Sequence, residues 1–509
     1  MKRAWGRPAL RLGVVGGLAL ALAGSSYAYV CHPDLRGTLR LPVDGRIDGY
    51  SMHGPRVTID VWADGCERRV VWKPLVRSST RGGCTDGVPA EIGARRTVQN
   101  GRFRAALRAG STALDRPDRL AVFNMHTGAA LHAWPLPARA STVDVARGVA
   151  VLSTSNGVYA VRLRDGQNAL VGVKRRGDYP QIEAPGIVFQ DDLYKRAGGH
   201  ALLKFIPFST VSSALRPSGP LHVPTTIGDF AMDGRSVIFV KRDPSGQCDH
   251  IGLWSIPWHY STDLMDEPPI CPEKHAPGGI TALAIGGQYV EVVTTYGKVR
   301  TLISSTIVRC IEKVVTRSRL GRGAVRALSA DGPIMTYGTS GRIGFLSGQQ
   351  VTGNADSPAA PVQLSADGRS VAVLRADGRV DVRNAAGLLG TFPAGGVRAI
   401  ALRADKLVML RRGLLDVYDL SSGIRVHRWR VPLGSAPAVD VHFGVALLTA
   451  GRNVIALGLE TGRTAVLFRS PTPVRAHLDD VGAVYRYNVG RGGVLGFIPF
   501  ATVERKLGA

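Results

Sequence analysis

Residues 361–392 read PVQLSADGRSVAVLRADGRVDVRNAAGLLGTF, and this stretch decides the fold class. Apolar residues alternate or run in fours, as in Val371-Ala372-Val373-Leu374, and Asp-Gly pairs at 367–368 and 377–378 separate the runs. Asp-Gly supplies the positive φ angles that two-residue hairpin turns require, so each pair reads as a hairpin tip. Short apolar runs and tight turns continue through most of the chain, and amphipathic helical spacing is nearly absent. The pattern predicts an all-β protein.

Working outward, strand-rich units open near Ile47, Phe103, Val143, Ile182, Ile227, Ile280, Val325, Val362, Val397, Val439 and Val474. Their spacing clusters around ~40 residues, the period of a four-stranded propeller blade. One small sheet cannot bury its faces alone, but stacked blades cover one another. A long internal duplication supports the repeat. LAVFNMHTGAALHAWPL at 120–136 aligns with LDVYDLSSGIRVHRWRV at 415–431, pairing His132 with His427 and Trp134 with Trp429 at an offset of 295. VDVARGVAVLSTSNGVYAVRLRDG at 143–166 matches VDVHFGVALLTAGRNVIALGLETG at 439–462 at an offset of 296. FIPFSTV at 205–211 matches FIPFATV at 497–503 at 292. An offset of 295 is about seven blade lengths. The expected architecture is a β-propeller of about 10–11 blade-like units in total. It divides into a signal segment at 1–28, a smaller propeller-like β domain at 29–216, and a C-terminal propeller of about seven blades at 217–509, with two propellers sharing blades across the junction as the alternative. Each FIPF stretch reads as the last strand of a unit, with Pro207 and Pro499 at an outer edge where a missing N–H costs no ladder bond.

Three stretches resemble known repeat superfamilies. LSADGRSVAVLRADGRVDVRNAAG (364–387) resembles a WD-type repeat without its terminal Trp-Asp. FAMDGRSVIFVKRDPSGQCDHIGLWSI (230–256) resembles blades of TolB-type propellers. VFNMHTGAALHAW (122–134), VYDLSSGIRVHRW (417–429) and ALGLETGRTAVLF (456–468) are similar to quinoprotein-like blades, with their recurring Thr-Gly and Trp. These resemblances imply blade architecture and no cofactor, since propellers host many unrelated functions.

The N-terminus points to a compartment. Lys2, Arg3, Arg7 and Arg11 precede the apolar run LGVVGGLALALAG at 12–24, and Ser26-Tyr27-Ala28 offers a signal-peptidase site. The run is shorter than the ~18–20 residues that span a bilayer, so a cleaved signal is expected, with an uncleaved anchor as the alternative. Six cysteines fit an oxidising compartment, and the expected pairs are Cys66–Cys84, Cys248–Cys271 and Cys31–Cys310. With 64 Lys and Arg against 39 Asp and Glu, the net charge is +25. The arginines are scattered singly, without a basic run. This argues against nucleic acid and for a protein partner or an anionic cell-envelope component, with membrane contact only through an uncleaved N-terminus.

Candidate chemistry is sparse. Cys248-Asp249-His250 and Cys271-Pro272-Glu273-Lys274-His275 carry a zinc-like ligand set, but Cys-x-His is too tight for a zinc knuckle and a disulfide is expected. The duplicated His132/His427 and Trp134/Trp429 read as blade packing. Asp191-Asp192 and Asp479-Asp480 read as solvated hairpin turns. The glycines at 490, 492, 493 and 496 lack the helix a dinucleotide site requires, and no nucleophile elbow, phosphate loop or His-Glu-x-x-His occurs. No catalytic, cofactor or metal residue is therefore assigned. The expected function is a secreted or cell-envelope, non-enzymatic binding or scaffold protein. The alternative is an extracytoplasmic hydrolase or lyase with an axial active site assembled from different blades.

Overall fold

The computed structural model describes Leu35 and residues 37–508, apart from the segments 64–65, 86–95, 101–102, 111–116, 137–138, 155–156, 173–178, 192–200, 217–218, 234–235, 243–248, 257–259, 264–277, 287–288, 297–298, 309–310, 321–326, 332–333, 340–341, 348–349, 357–360, 367–369, 385–386 and 433–437. Between 304 and 361 the backbone alone is described. The signal segment 1–28 and Cys31, Cys248, Cys271 and Cys310 lie outside these residues.

Eleven four-stranded antiparallel sheets form among the described residues. Strands Val149–Thr154 and Val445–Ala450 are buried at every position. That requires cover on both faces of the sheet, which only neighbouring sheets can supply. The turn at Asp377-Gly378 joins two strands of one sheet, with Gly378 at φ +76°; the tips at 331–332 and 367–368 fall wholly or partly outside the described residues.

Between Leu221 and Pro499 the first strands of successive sheets pack side by side in chain order. They run from Ile227–Asp233 through Gly278–Gly286, Ala327–Asp331, Pro361–Ala366, Ala399–Arg403, Ala438–His442 and Arg475–Asp479, and the last packs back on the first. Between Leu39 and Pro207, strand Arg46–His53 packs on Gln181–Glu183, which packs on Ala140–Ala146, which packs on Thr97–Asn100. The fold is a β-propeller. The unit opening expected at Phe103 falls on a second strand, because Thr97–Asn100 is a short, largely exposed TVQN without apolar alternation.

The two FIPF stretches do not form sheet edges. Leu39–Val43 adds outside Ala201–Pro207, with Leu39 opposite Phe205. Leu221–Val223 adds outside Gly492–Pro499, with Val223 opposite Gly493. In each case a strand from far back in the chain covers the edge, which sequence order alone does not disclose. Pro207 and Pro499 sit where strand becomes helix, at φ −58° and −57°. Helices α1 (Phe208–Ala214) and α2 (Phe500–Leu507) follow them. Helix α2 buries Phe500, Ala501, Val503 and Leu507. It also touches the first set of sheets, where Glu504 accepts two bonds from Arg119 at 2.6 and 3.3 Å. No helix among the described residues is long and apolar enough to cross a membrane.

Cys66 and Cys84 are joined across two adjacent strands, with Cα atoms 5.6 Å apart. The duplicated tryptophans bind neighbouring sheets through the indole N–H. Trp134 donates to Leu163 O at 2.8 Å and Trp429 to Leu459 O at 3.0 Å. His132 and His427 stack on them at 4.7 and 5.4 Å.

Gly186 and Gly482 occupy matching places, where a Cβ would collide with the carbonyl oxygens of Ile206 and Ile498 respectively. Gly186→Ala and Gly482→Ala should each cost about 3 kcal/mol in denaturant unfolding, through overpacking against backbone. Gly490→Ala, at φ +59° with open space around it, should cost only about 1 kcal/mol. Equal losses at all three positions would contradict the close approach.

Candidate functional site

The duplication provides an internal reference for the innermost strands. In both copies an aspartate ties one sheet to the next. Asp144 accepts from its neighbour Val145 N and from Ile182 N, both at 2.9 Å. Asp440 does the same with Val441 N and Leu478 N, also at 2.9 Å. A carboxylate accepting two amides is a strong, geometrically fixed junction.

The flanking positions differ between the copies. In the first, Gln181 accepts from Met52 N at 2.8 Å and donates to Tyr50 O at 2.9 Å, and Glu183 accepts from Gly54 N. These side chains serve to hold the next sheet. At the offset of 296 their counterparts are His477 and Asp479. In the second copy the next sheet is held instead by Asn488, which accepts from Ile227 N at 2.9 Å and donates to Ile227 O at 3.0 Å. The first-strand positions here carry His477 and Asp479.

Those groups form a ladder across neighbouring first strands. At one end Asp479 Oδ1 lies 3.4 Å from His442 Nε2, which lies 3.1 Å from an Arg403 NH2. One level on, Asp440 Oδ2 lies 3.4 Å from His477 Nδ1. At the next level Arg475 NH1 lies 3.8 Å from Asp229 Oδ1. Alternation along Arg475–Asp479 explains the placement. Ala476 and Leu478 are buried against neighbouring sheets, while Arg475 and His477 point the other way and are exposed. The edge of Phe230 meets the His477 ring at 4.7 Å. His442 is buried against Phe443, which packs on Phe500 of helix α2 at 5.3 Å.

The electrostatics follow from this geometry. Burial opposes a charge on His477, but the bond to Asp440 and the charges of Asp440 and Asp229 outweigh it and raise its pKa; Arg475 acts weakly against them. Burial likewise opposes ionisation of Asp479, but His442, the Asp480 amide and Arg403 hold its pKa below the usual carboxylate range. Arg486 is pushed down to about 10 by burial and by Arg475 and Arg242. His442 Nε2 stands between a guanidinium donor and a carboxylate acceptor, and its role as donor or acceptor follows its tautomer. The ladder presents both charge signs.

Asp479 is therefore no solvated turn residue. It looks like one in sequence because its partners lie on other sheets. Asp480 follows it in the turn, Asp191 ends the strand Gly186–Asp191, and Asp192 lies outside the described residues. Arg403, His442, Arg475 and His477 carry no local motif, and the one usable signal was the break in the duplication at Gln181/His477 and Glu183/Asp479. Asp249 is a structural acceptor for Arg242 and for Ile280 N at 2.9 Å. Among the described residues no group of three His, Cys, Asp or Glu could hold a metal ion.

No protein-family model matches the chain, and no curated protein matches it. Among solved structures, a chain from the crystal structure of a mitotic checkpoint complex is similar at 14% identity and a TM-score of 0.43, covering 56% of this chain and 92% of that one. The WD40 domain of Pan2 from Neurospora crassa gives 12% and 0.41, over 56% and 97%. The WD40 β-propeller domain of Doa1 gives 13% and 0.43, over 56% and 96%. The propeller assignment stands on the sheets of this chain.

The raised pKa of His477 fixes a sign for pH dependence. Its stabilising contribution is complete below the unfolded value of about 6.5 and is lost as pH rises through the higher folded value. Thermal midpoints of wild type should fall more than those of His477→Gln on going from neutral to mildly alkaline pH. The difference should be under about 1 kcal/mol, because the side chain is half exposed. Parallel curves for the two proteins would contradict the Asp440–His477–Asp229 arrangement.

Proposed function

We propose that the chain is an extracytoplasmic, non-enzymatic binding protein built as two propellers. One comprises the four sheets between Leu39 and Pro207 and the other the seven sheets between Leu221 and Pro499, with residues 208–220 as the junction. The axial ladder of the second propeller is its recognition element. The observation that carries this reading is the change at two matched positions, from Gln181 and Glu183, which bond the backbone of a neighbouring sheet, to His477 and Asp479, which meet the ionisable side chains of Asp440 and His442 on a neighbouring first strand. Propellers gather side chains from several sheets at the axis, where a partner can meet them together. Each carboxylate of the ladder is engaged by a countercharge or a backbone amide, which suits recognition by charge and shape better than proton abstraction from a substrate.

Support for the compartment comes from the basic and apolar N-terminal segment and from the Cys66–Cys84 disulfide, a bond favoured outside the cytosol. The partner class is a protein or an anionic component of the cell envelope.

Protein recovered from the extracytoplasmic fraction should start near Tyr29 on N-terminal sequencing; recovery only in the cytoplasm with Met1 retained would overturn the compartment. Immobilised wild type should retain an envelope component that His442→Ala/His477→Ala does not, with melting curves showing that both remain folded. Equal retention by the two proteins would remove the ladder from recognition.

A further inference from the structure

Three adjacent sheets of the second propeller, from Ala399 to Pro499, are polarised in charge. The first strands of the propeller's sheets run in the same direction. Gln363 accepts from Ile400 N at 3.0 Å, Ser365 accepts from Leu402 N at 2.8 Å, and Asp440 accepts from Leu478 N at 2.9 Å. Position along each first strand therefore rises together from sheet to sheet. Among the described residues, turns between first and second strands, and between third and fourth, therefore lie at one end of the propeller. Turns between second and third strands, and links between sheets, lie at the other.

In the three sheets from Ala399 to Pro499 the connections at these two ends differ sharply. One end holds 403–406, 419–425, 442–445, 458–464 and 479–482, and there lie Asp405, Asp419, Glu460, Asp479 and Asp480. The opposite end holds 393–398 (PAGGVR), 411–413 (RRG), 430–432 (RVP), 450–452 (AGR), 469–474 (RSPTPV) and 489–491 (VGR), which contain no acidic residue. Arg398, Arg412, Arg430, Arg452, Arg469 and Arg491 are all exposed there, and none has an ion pair among the described residues. The buried carboxylate of Asp416, in the same sheet as Arg412 and Arg430, is already taken by Arg411 at 2.9 Å and Arg428 at 2.6 Å.

Composition alone does not account for this. At the duplication offsets of 295 and 296, the counterparts of Arg412, Arg430, Arg452 and Arg469 are Pro117, Pro135, Asn156 and Val173. The arginines belong to the second copy only, at positions that share one end.

We propose that this arginine face binds a linear, phosphate-bearing polymer. Guanidinium groups pair with phosphate oxygens through two parallel N–H bonds and stay charged at every physiological pH. Arginines spread over three adjacent sheets suit a ligand whose charges repeat along a chain better than a single small anion. A membrane surface fits less well, because among the described residues Val489 is the large apolar side chain exposed at this end of these sheets, and one valine gives little to insert into a bilayer. The proposal deepens the binding-protein reading by naming a partner class and a surface distinct from the axial ladder.

Its test uses the full-length protein with inorganic polyphosphate as probe, measured by titration across a salt series. Wild type should bind, with affinity falling steeply as salt rises. Arg412→Gln/Arg430→Gln/Arg452→Gln/Arg469→Gln should bind on the order of 100-fold more weakly, with a salt slope reduced by about 3, roughly 0.7 per lost phosphate contact as for single-stranded polyanions. Arg463→Gln/Arg505→Gln, substituted away from this face, should match wild type. Equal binding by the quadruple variant and wild type, or equal losses in both variants, would overturn the proposal. So would tighter binding to vesicles of anionic phospholipid than to polyphosphate at equal phosphate concentration. None of those failures touches the ladder: loss of envelope retention in His442→Ala/His477→Ala reports on the binding reading independently.

Discussion

The structure depends on a three-residue strand pairing. Leu221–Val223 completes the sheet formed by Arg475–Pro499, so the last sheet of the second set is built from both ends of its sequence. Bringing such distant segments together costs about 5 kcal/mol of loop entropy, since the cost grows only logarithmically with length. Three residues of strand pairing do not offset that alone, at about 0.5–1.5 kcal/mol per hydrogen bond. Closure must be cooperative with packing of the intervening sheets, whose faces are buried only when every neighbour is present. Leu39–Val43 does the same for the first set.

Side chains from one sheet reinforce this packing by bonding to the backbone of the next. Asp144, Asp440, Gln363, Ser365, Gln181 and Asn488 all do so. Such bonds satisfy amides that the inner strand cannot pair within its own sheet, and they fix the angle between neighbours. Asn488 holds the next sheet in the second copy as Gln181 and Glu183 do in the first, while His477 and Asp479 meet Asp440 and His442 across neighbouring first strands.

Helix α2 couples these features. Phe500 packs on Phe443 beside His442, and Glu504 pairs with Arg119 in the first set of sheets. A short helix at the end of the chain thus touches the floor of the ladder and the neighbouring set together. In the three sheets from Ala399 to Pro499, connections without acidic residues separate the ladder's mixed charge from an arginine-bearing end. Two kinds of recognition can therefore reside on one ring.

The sequence by itself determined the strand class, the period and the duplication. Each of these is local, resting on alternation, Asp-Gly turns or direct self-similarity. It also paired Cys66 with Cys84 and showed that His132, Trp134, His427 and Trp429 repeat for packing. It misplaced the FIPF strands at sheet edges, because the covering strands come from far back in the chain. It also passed over Arg403, His442, Arg475 and His477. Members of the ladder stand about one blade length apart in sequence, so no motif joins them. Only the tertiary structure decided which residues meet at the axis and which turns share an end. Those facts depend on ring closure, which turns a linear period of about 40 residues into adjacency in space.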